Sequence, residues 1–365
     1  MQECQSIPCV DFFLSLTLIF ILSACGNQEN KPPLVLGWEN NRAVSVSISK
    51  SIVSEIPDDS LQSIQITVGD SLNQSMLGEW SNKGNNFIFN PIVPFTRGNQ
   101  YHVIYREKII GEFNVPFNPD SKKPTLSIYP SQDTLPENIL KMYFHFSEPM
   151  VEGQSLGHIY LQNKNGDTLS GIFLELLPEL WNDEGTLLTL WFDPGRIKRD
   201  LIPNQQMGNP LQDGEAYTLH VSGKWKSKDG LELSESYSKK FVASKRDEII
   251  PDINGWSLIT PQSGTVSPLL IAFNDLLDFS LIQSTIQILD ENKKVLAGEI
   301  QLMKEEAAII FAPASAWKKG NYVLQVEPRL EDLAGNNLSR PFDRDLKKEQ
   351  AMIEKKNYER GFAVE

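Results

Sequence analysis

The chain has 365 residues, 40% of them apolar and 22% charged, with a formal net charge of -13. That length and apolar share suffice for two or three domains with cores of their own. The charge argues against a nucleic-acid role, which needs a face of clustered Lys and Arg, and the cysteines (Cys4, Cys9, Cys25) all precede residue 26, so no disulfide framework or cysteine zinc site is expected beyond it.

In chain order, the apolar run Phe12 to Ala24 is short for a membrane-spanning helix and suits a signal-peptide core. It runs into Leu22-Ser23-Ala24-Cys25-Gly26, which resembles the lipobox of bacterial lipoproteins. The resemblance implies that residues 1–24 are a signal peptide and that Cys25 carries lipid as a membrane anchor. Residues 25–33 (CGNQENKPP) then read as a polar tether.

From Leu34 onward, β-branched and aromatic residues alternate in short runs, and turn signals recur every 8 to 12 residues or so, the pattern of half-buried strands in a sandwich. A Phe-x-Pro followed by a Gly shortly before a Tyr occurs three times: Phe89, Pro91, Gly98, Tyr101; Phe192, Pro194, Gly214, Tyr217; and Phe311, Pro313, Gly320, Tyr322. A glycine follows an earlier apolar strand in each copy, at Gly78, Gly171 and Gly298. Three copies predict three modules: residues 34–119, 120–247 and 248–346, followed by a charged tail, 347–365, expected as a solvated helix or frayed end. The last strand of the third module is expected at Phe342.

Phe146-Ser147-Glu148-Pro149-Met150, Gly214 to Thr218 and the late turn Asp332 to Leu338 resemble the repeat motifs of bacterial Ig-like domains of the S-layer type. The resemblance is good over roughly residues 120–345 and weaker over 34–118. It implies an all-β chain of tandem immunoglobulin-like β-sandwiches in an exported or envelope protein, and no particular ligand.

The residues offer little catalytic chemistry. The histidines His102, His145, His158 and His220 lack metal-binding helical spacing, and His102 and His220 are expected to face solvent. No nucleophile elbow occurs, and no enzyme activity is expected. Calcium is one candidate ligand, for Asp332, Asn336 and Asn337 with Glu148 or Asp275, hard oxygen donors in turns. The bland alternative is turn chemistry, in which Asp and Asn bond their own backbone.

Trp191 alternates with Leu188, Leu190 and Phe192, so an indole is expected on the outer face, where it could meet carbohydrate or a packed neighbour. Module two also carries an insertion, roughly 195–210, between its Phe-x-Pro and its Tyr. It holds Arg196, Lys198 and Arg199, a basic cluster in an acidic protein, expected either as a binding loop or as a clamp on the neighbouring module. The expected function is a lipid-anchored, non-catalytic envelope protein with a binding or spacer role. The alternative is a glycan-binding or glycan-processing accessory protein. The expected partners are the membrane, through the N-terminal lipid, and an envelope protein or a carbohydrate.

Overall fold

The computed structural model describes residues 34–40, 42–51, 58–69, 75–117, 120–303, 306–343 and 355–365. The expected signal peptide, Cys25 and the expected tether lie outside the described residues. No helix among those residues is long and apolar enough to cross a membrane.

Module one comprises β1 (Leu34–Glu39), β2 (Arg42–Ser49), β3 (Ile64–Val68), β4 (Gly78–Lys83), β5 (Asn86–Pro91), β6 (Gln100–Tyr105) and β7 (Lys108–Asn114). Its sheets run β1-β2-β5-β4 and β3-β6-β7. Module two comprises β8 (Leu126–Tyr129), β9 (Thr134–Pro136), β10 (Lys141–Phe146), α1 (Ser155–His158), β11 (Ile159–Asn163), β12 (Leu180–Trp181), β13 (Leu187–Trp191), α2 (Pro194–Ile197), α3 (Ile202–Met207), β14 (Ala216–Val221) and β15 (Tyr237–Ser244). Its sheets run β12-β13-β10-β8 and β11-β14-β15-β9, with β9 parallel to β15. Module three comprises β16 (Ser257–Ile259), β17 (Leu269–Ala272), α4 (Phe279–Thr285), β18 (Ile286–Leu289), β19 (Gly298–Leu302), β20 (Ala308–Pro313), β21 (Gly320–Val326) and β22 (Tyr358–Val364). Its sheets run β16-β17-β20-β19 and β18-β21-β22. The chain is an all-β string of immunoglobulin-like sandwiches, each with its own apolar core.

The repeat has physical reasons. Phe89, Phe192 and Phe311 are buried where their strands enter the core, and each contributes about 1.5–3 kcal/mol by leaving water. The tyrosines tie a corner: the hydroxyls of Tyr101, Tyr217 and Tyr322 accept the backbone N–H of Thr96 at 2.7 Å, Gln212 at 2.9 Å and Lys318 at 3.1 Å. Each ring thus enters the core while its hydroxyl satisfies a turn donor, as in the tyrosine corner of immunoglobulin folds. Gly78 and Gly298 share a second constraint. A β-carbon at either would lie 2.4 Å from the ring of the repeat phenylalanine, Phe89 or Phe311. Gly171 is different, with φ +58 and open space around it, so its alignment with the others is not structural.

Several expectations are corrected. The described part of the tail, 355–365, holds a strand rather than a helix or a frayed end: β22 pairs with β21 from Gly320↔Val364 to Val326↔Tyr358, turning two strands into a three-stranded sheet. Its charges conceal a period of two. Val364 is buried, Phe362 packs on the core, and Arg360 turns inward because its guanidinium reaches the carbonyl of Ile253 at 2.9 Å. Phe342 belongs to no strand and packs instead against the core of module two. His102 is buried, 3.3 Å from Glu112, rather than solvent-facing. His220 is half-buried and stacks on Tyr160 at 4.8 Å.

Candidate functional site

The most elaborate chemistry lies where modules two and three meet. Leu333 of module three is buried in the apolar core of module two, and Leu276 and Phe342 pack against that core. The late Asp/Gly turn delivers them. Asp332 accepts the backbone N–H of Ala334 and Asn336 on one oxygen, and Gly335, at φ +81, fits so closely that a β-carbon would lie 2.5 Å from Leu140. Leu140 N–H in turn donates to the Leu333 carbonyl at 2.9 Å.

A buried polar network runs beside this plug. Asp278 caps α4 by accepting the N–H groups of Ser280 and Leu281. The same carboxylate takes the Tyr143 hydroxyl at 2.6 Å and the Lys141 ammonium at 3.1 Å, and Lys141 also meets Glu331 at 2.7 Å. Burial alone would lower the Lys141 pKa, but Asp278 and Glu331 outweigh it and hold the group above its ordinary value. Burial and then Asp278 push the Tyr143 phenol upward. Tyr129 and Phe279 stack alongside at 3.9 Å, and buried Glu306 accepts Ser131 N–H at 2.9 Å and its hydroxyl at 3.1 Å. These acids and bases are spent on one another, so the arrangement fastens two modules rather than presenting a reactive group.

The insertion flanks the same joint. Asp193 caps α2, with Pro194 at its start, and accepts Gly195 N–H at 2.8 Å. Arg196 is buried within its own loop, donating to the carbonyls of Ser170, Gly171, Met207, Gly208 and Asn209. Burial pushes its pKa below the usual arginine value, with Asp193 opposing. Lys198 lies 4.3 Å over the Phe342 ring, and Arg199 pairs with Asp343 at 2.9 Å and with Glu248. Arg246, from the link between the modules, meets Asp343 at 2.7 Å and the Ile197 carbonyl at 2.6 Å. Arg196 thus faces inward, while Lys198 and Arg199 face module three.

The calcium candidates part company. Asp275 and Asp332 come together with Asp247, a linker residue, their carboxylate oxygens within 4.8 Å of one another. Such a trio could hold a divalent cation through hard oxygen ligands. Burial, opposed by hydrogen bonds from Asn336, pushes Asp332 up to about 8; burial above all raises Asp275 to about 6, with Asp247 adding repulsion to both. Asn336 is spent on Asp332 and on Phe342 N–H, Asn337 on the N–H groups of Ser339 and Arg340, and Glu148 lies far along the chain in a cleft between modules one and two. Asp247 carries no local signal in the sequence, because a single linker acid becomes meaningful only when two distant turns fold onto it.

Trp191 is half-buried, with the Lys141 ammonium 4.9 Å over its ring, and it lines a leucine-rich cleft in module two. Trp225, elsewhere in module two, is fully buried and donates its indole N–H to the Val151 carbonyl at 3.0 Å.

No protein-family model matches the chain, and no curated protein matches it. Among solved structures, the N-terminal part of the bacterial S-layer protein SbsC is 12% identical over 56% of this chain and 40% of its own length, with TM-score 0.24. Domains 1–6 of surface layer protein SbsC are 8% identical over 67% of this chain and 41% of theirs, with TM-score 0.24. Native alpha-2-macroglobulin from Escherichia coli, spanning domains MG0-NIE-MG1, is 12% identical over 56% and 66%, with TM-score 0.22. The chain spans 40% of the first of these structures. The sandwich assignment rests on the strand pairing and not on these likenesses.

Proposed function

We propose that this protein is a non-catalytic spacer of the bacterial cell envelope, exported, anchored through lipid on Cys25, and built to hold a binding face away from the membrane. The observation that carries the spacer reading is the second joint, where Leu333, Leu276 and Phe342 of module three pack into the core of module two. A spacer that must keep a distance needs such a joint, because flexible linkers between domains leave relative motion as the default. The basic insertion serves the same end in this reading, with Lys198 and Arg199 held against Phe342 and Asp343. The anchor reading draws on the Leu22-Ser23-Ala24-Cys25 sequence.

Growing cells on a clickable fatty-acid analogue and comparing the wild type with Cys25→Ala tests the anchor. Label on the wild type alone is the expected result, and equal incorporation into both removes the anchor. Small-angle scattering tests the spacer separately: modules two and three are expected to scatter as one rigid body, and an ensemble of angles between them would overturn the spacer.

A further inference from the structure

Module two differs from its siblings at one sheet edge. The strand that borders the first sheet is β4, six residues long, in module one and β19, five residues long, in module three, but only the two residues of β12 in module two. In place of the missing strand, Leu174 to Glu179 arches off the edge, tethered at one end by Leu174 N–H to the Trp191 carbonyl at 2.9 Å. At the other end Glu179 accepts Gly153 N–H, Ser155 N–H and the Trp181 indole N–H, each at 2.7 Å. The arch and the 153–157 turn enclose a cleft of about 420 Å³ over β13, within the size range of ligand sites.

Its chemistry is specific. Leu156, Leu174, Leu176, Leu177, Leu180 and Leu190 line it, above Trp191. From Leu169 to Trp191 the chain has the acids Glu175, Glu179, Asp183 and Glu184 and no Lys or Arg. Burial works to raise the Glu179 pKa, but hydrogen bonds from Trp181, Ser155 and Gly153 outweigh it and keep the carboxyl below its usual value, so it stays charged. Glu175 is exposed on the lining. The cleft is therefore walled mostly by leucines, with Gln154, Ser155 and Thr189 as neutral polar groups, and the two charged residues on its lining, Glu175 and Glu179, are both acids.

Those features select among occupants. A wall made mostly of leucine offers sugar hydroxyls few hydrogen-bond partners, and acidic lining residues repel anionic bilayer surfaces. A polypeptide that inserts one or two aliphatic side chains, leaves its backbone outside in water, and carries flanking Lys or Arg satisfies both the wall and the acids. We propose that this cleft docks a basic, leucine-anchored segment of a partner protein. The proposal does not depend on the lipid anchor or on the rigid joint.

The test is fluorescence polarisation of a labelled twelve-residue peptide of alternating leucine and lysine, titrated with the full chain. Leu177 and Leu180 are 88% and 42% exposed, so Leu177→Ser/Leu180→Ser leaves the fold intact, which an unchanged melting curve verifies. The double variant is expected to bind about tenfold more weakly, Glu175→Gln about threefold more weakly, and added salt to weaken all binding. Equal binding by wild type and double variant overturns the proposal. So does equal binding of a leucine-glutamate peptide, or binding of phosphatidylglycerol vesicles or of glycan, measured without the peptide, that Leu177→Ser/Leu180→Ser abolishes.

Discussion

The two joints of this chain use the same device to different effect. At each, a late turn with a glycine at positive φ presses against the preceding module: Gly230 at φ +82, where a β-carbon would lie 2.0 Å from the Arg97 carbonyl, and Gly335 at φ +81, where it would lie 2.5 Å from Leu140. At the second joint the turn continues into Leu333, Leu276 and Phe342, which enter the core of module two. At the first, the described core of module one contains no residue of module two, and a cleft of about 470 Å³ separates Arg42 from Glu148, Ser227 and Asp229. A close turn alone makes a contact, whereas a turn followed by apolar side chains makes a shared core. Shared cores resist rotation because interiors are close-packed and do not deform continuously.

The largest effect that would break the second joint is expected from Asp278→Ala. The substitution removes the α4 cap and leaves Tyr143 and Lys141 without their shared partner, both of them largely enclosed. Breaking a buried charged network by removing one member costs about 3–5 kcal/mol. Urea denaturation of the full chain should show the transition of modules two and three moving to lower denaturant, with the module-one transition unmoved. A single transition shifted as a whole would mean that all three modules unfold together.

Gly335→Ala and Gly230→Ala sharpen the comparison. A side chain at positive φ costs about 1–2 kcal/mol at either site. At Gly335 the added methyl also meets fully buried Leu140, so about 2–3 kcal/mol in total and a lower melting temperature are expected. At Gly230 the methyl meets a backbone carbonyl that cannot turn away, but the joint can open to relieve it. The expected outcome there is a change in the scattering envelope with a loss of stability limited to about 1–2 kcal/mol. If both variants destabilise equally and neither changes the envelope, the joints are alike and the contrast fails.

The sequence was most informative where structure repeats and least where it converges. Phe89, Phe192 and Phe311 and the corner tyrosines were legible because each copy solves the same local problem, and alternation marked the inward face of strands such as Tyr217, Leu219 and Val221. β22 was missed because Glu359 and Arg360 make its strand look solvated, although Arg360 turns inward to backbone carbonyls. The joint was illegible for a different reason. Asp278, Tyr143, Lys141 and Glu331 are ordinary polar residues up to 190 positions apart, and only the packing of two finished modules brings them together. Trp191 showed the limit of parity: alternation put it on the outer face, but the arch of Leu174 to Glu179 then covered that face in part.

The smallest expected effect concerns the carboxylates beside the joint. Asp275 and Asp332 are raised to about 6 and about 8, above the ordinary aspartate value. The folded state therefore holds protons there more tightly than the unfolded chain does. That advantage is complete below about pH 4 and is lost as pH rises through about 6 for Asp275 and about 8 for Asp332. In chelator, so that no divalent ion offsets the repulsion, stability should decline between pH 5 and pH 8 by this route. Asp275→Asn keeps the acceptor for Leu276 N–H while removing one charge, and Asp275 is half-buried, so the gain is discounted for solvent to about 1 kcal/mol at pH 8. The variant should lose the part of the decline that ends near pH 6 and keep the part that continues towards pH 8, reduced because Asp275 no longer repels Asp332. Thermal melts at half-unit steps of pH decide it. A wild-type curve flat from pH 5 to 8 would mean that the cluster relaxes apart in solution and that its repulsion does not strain the second joint.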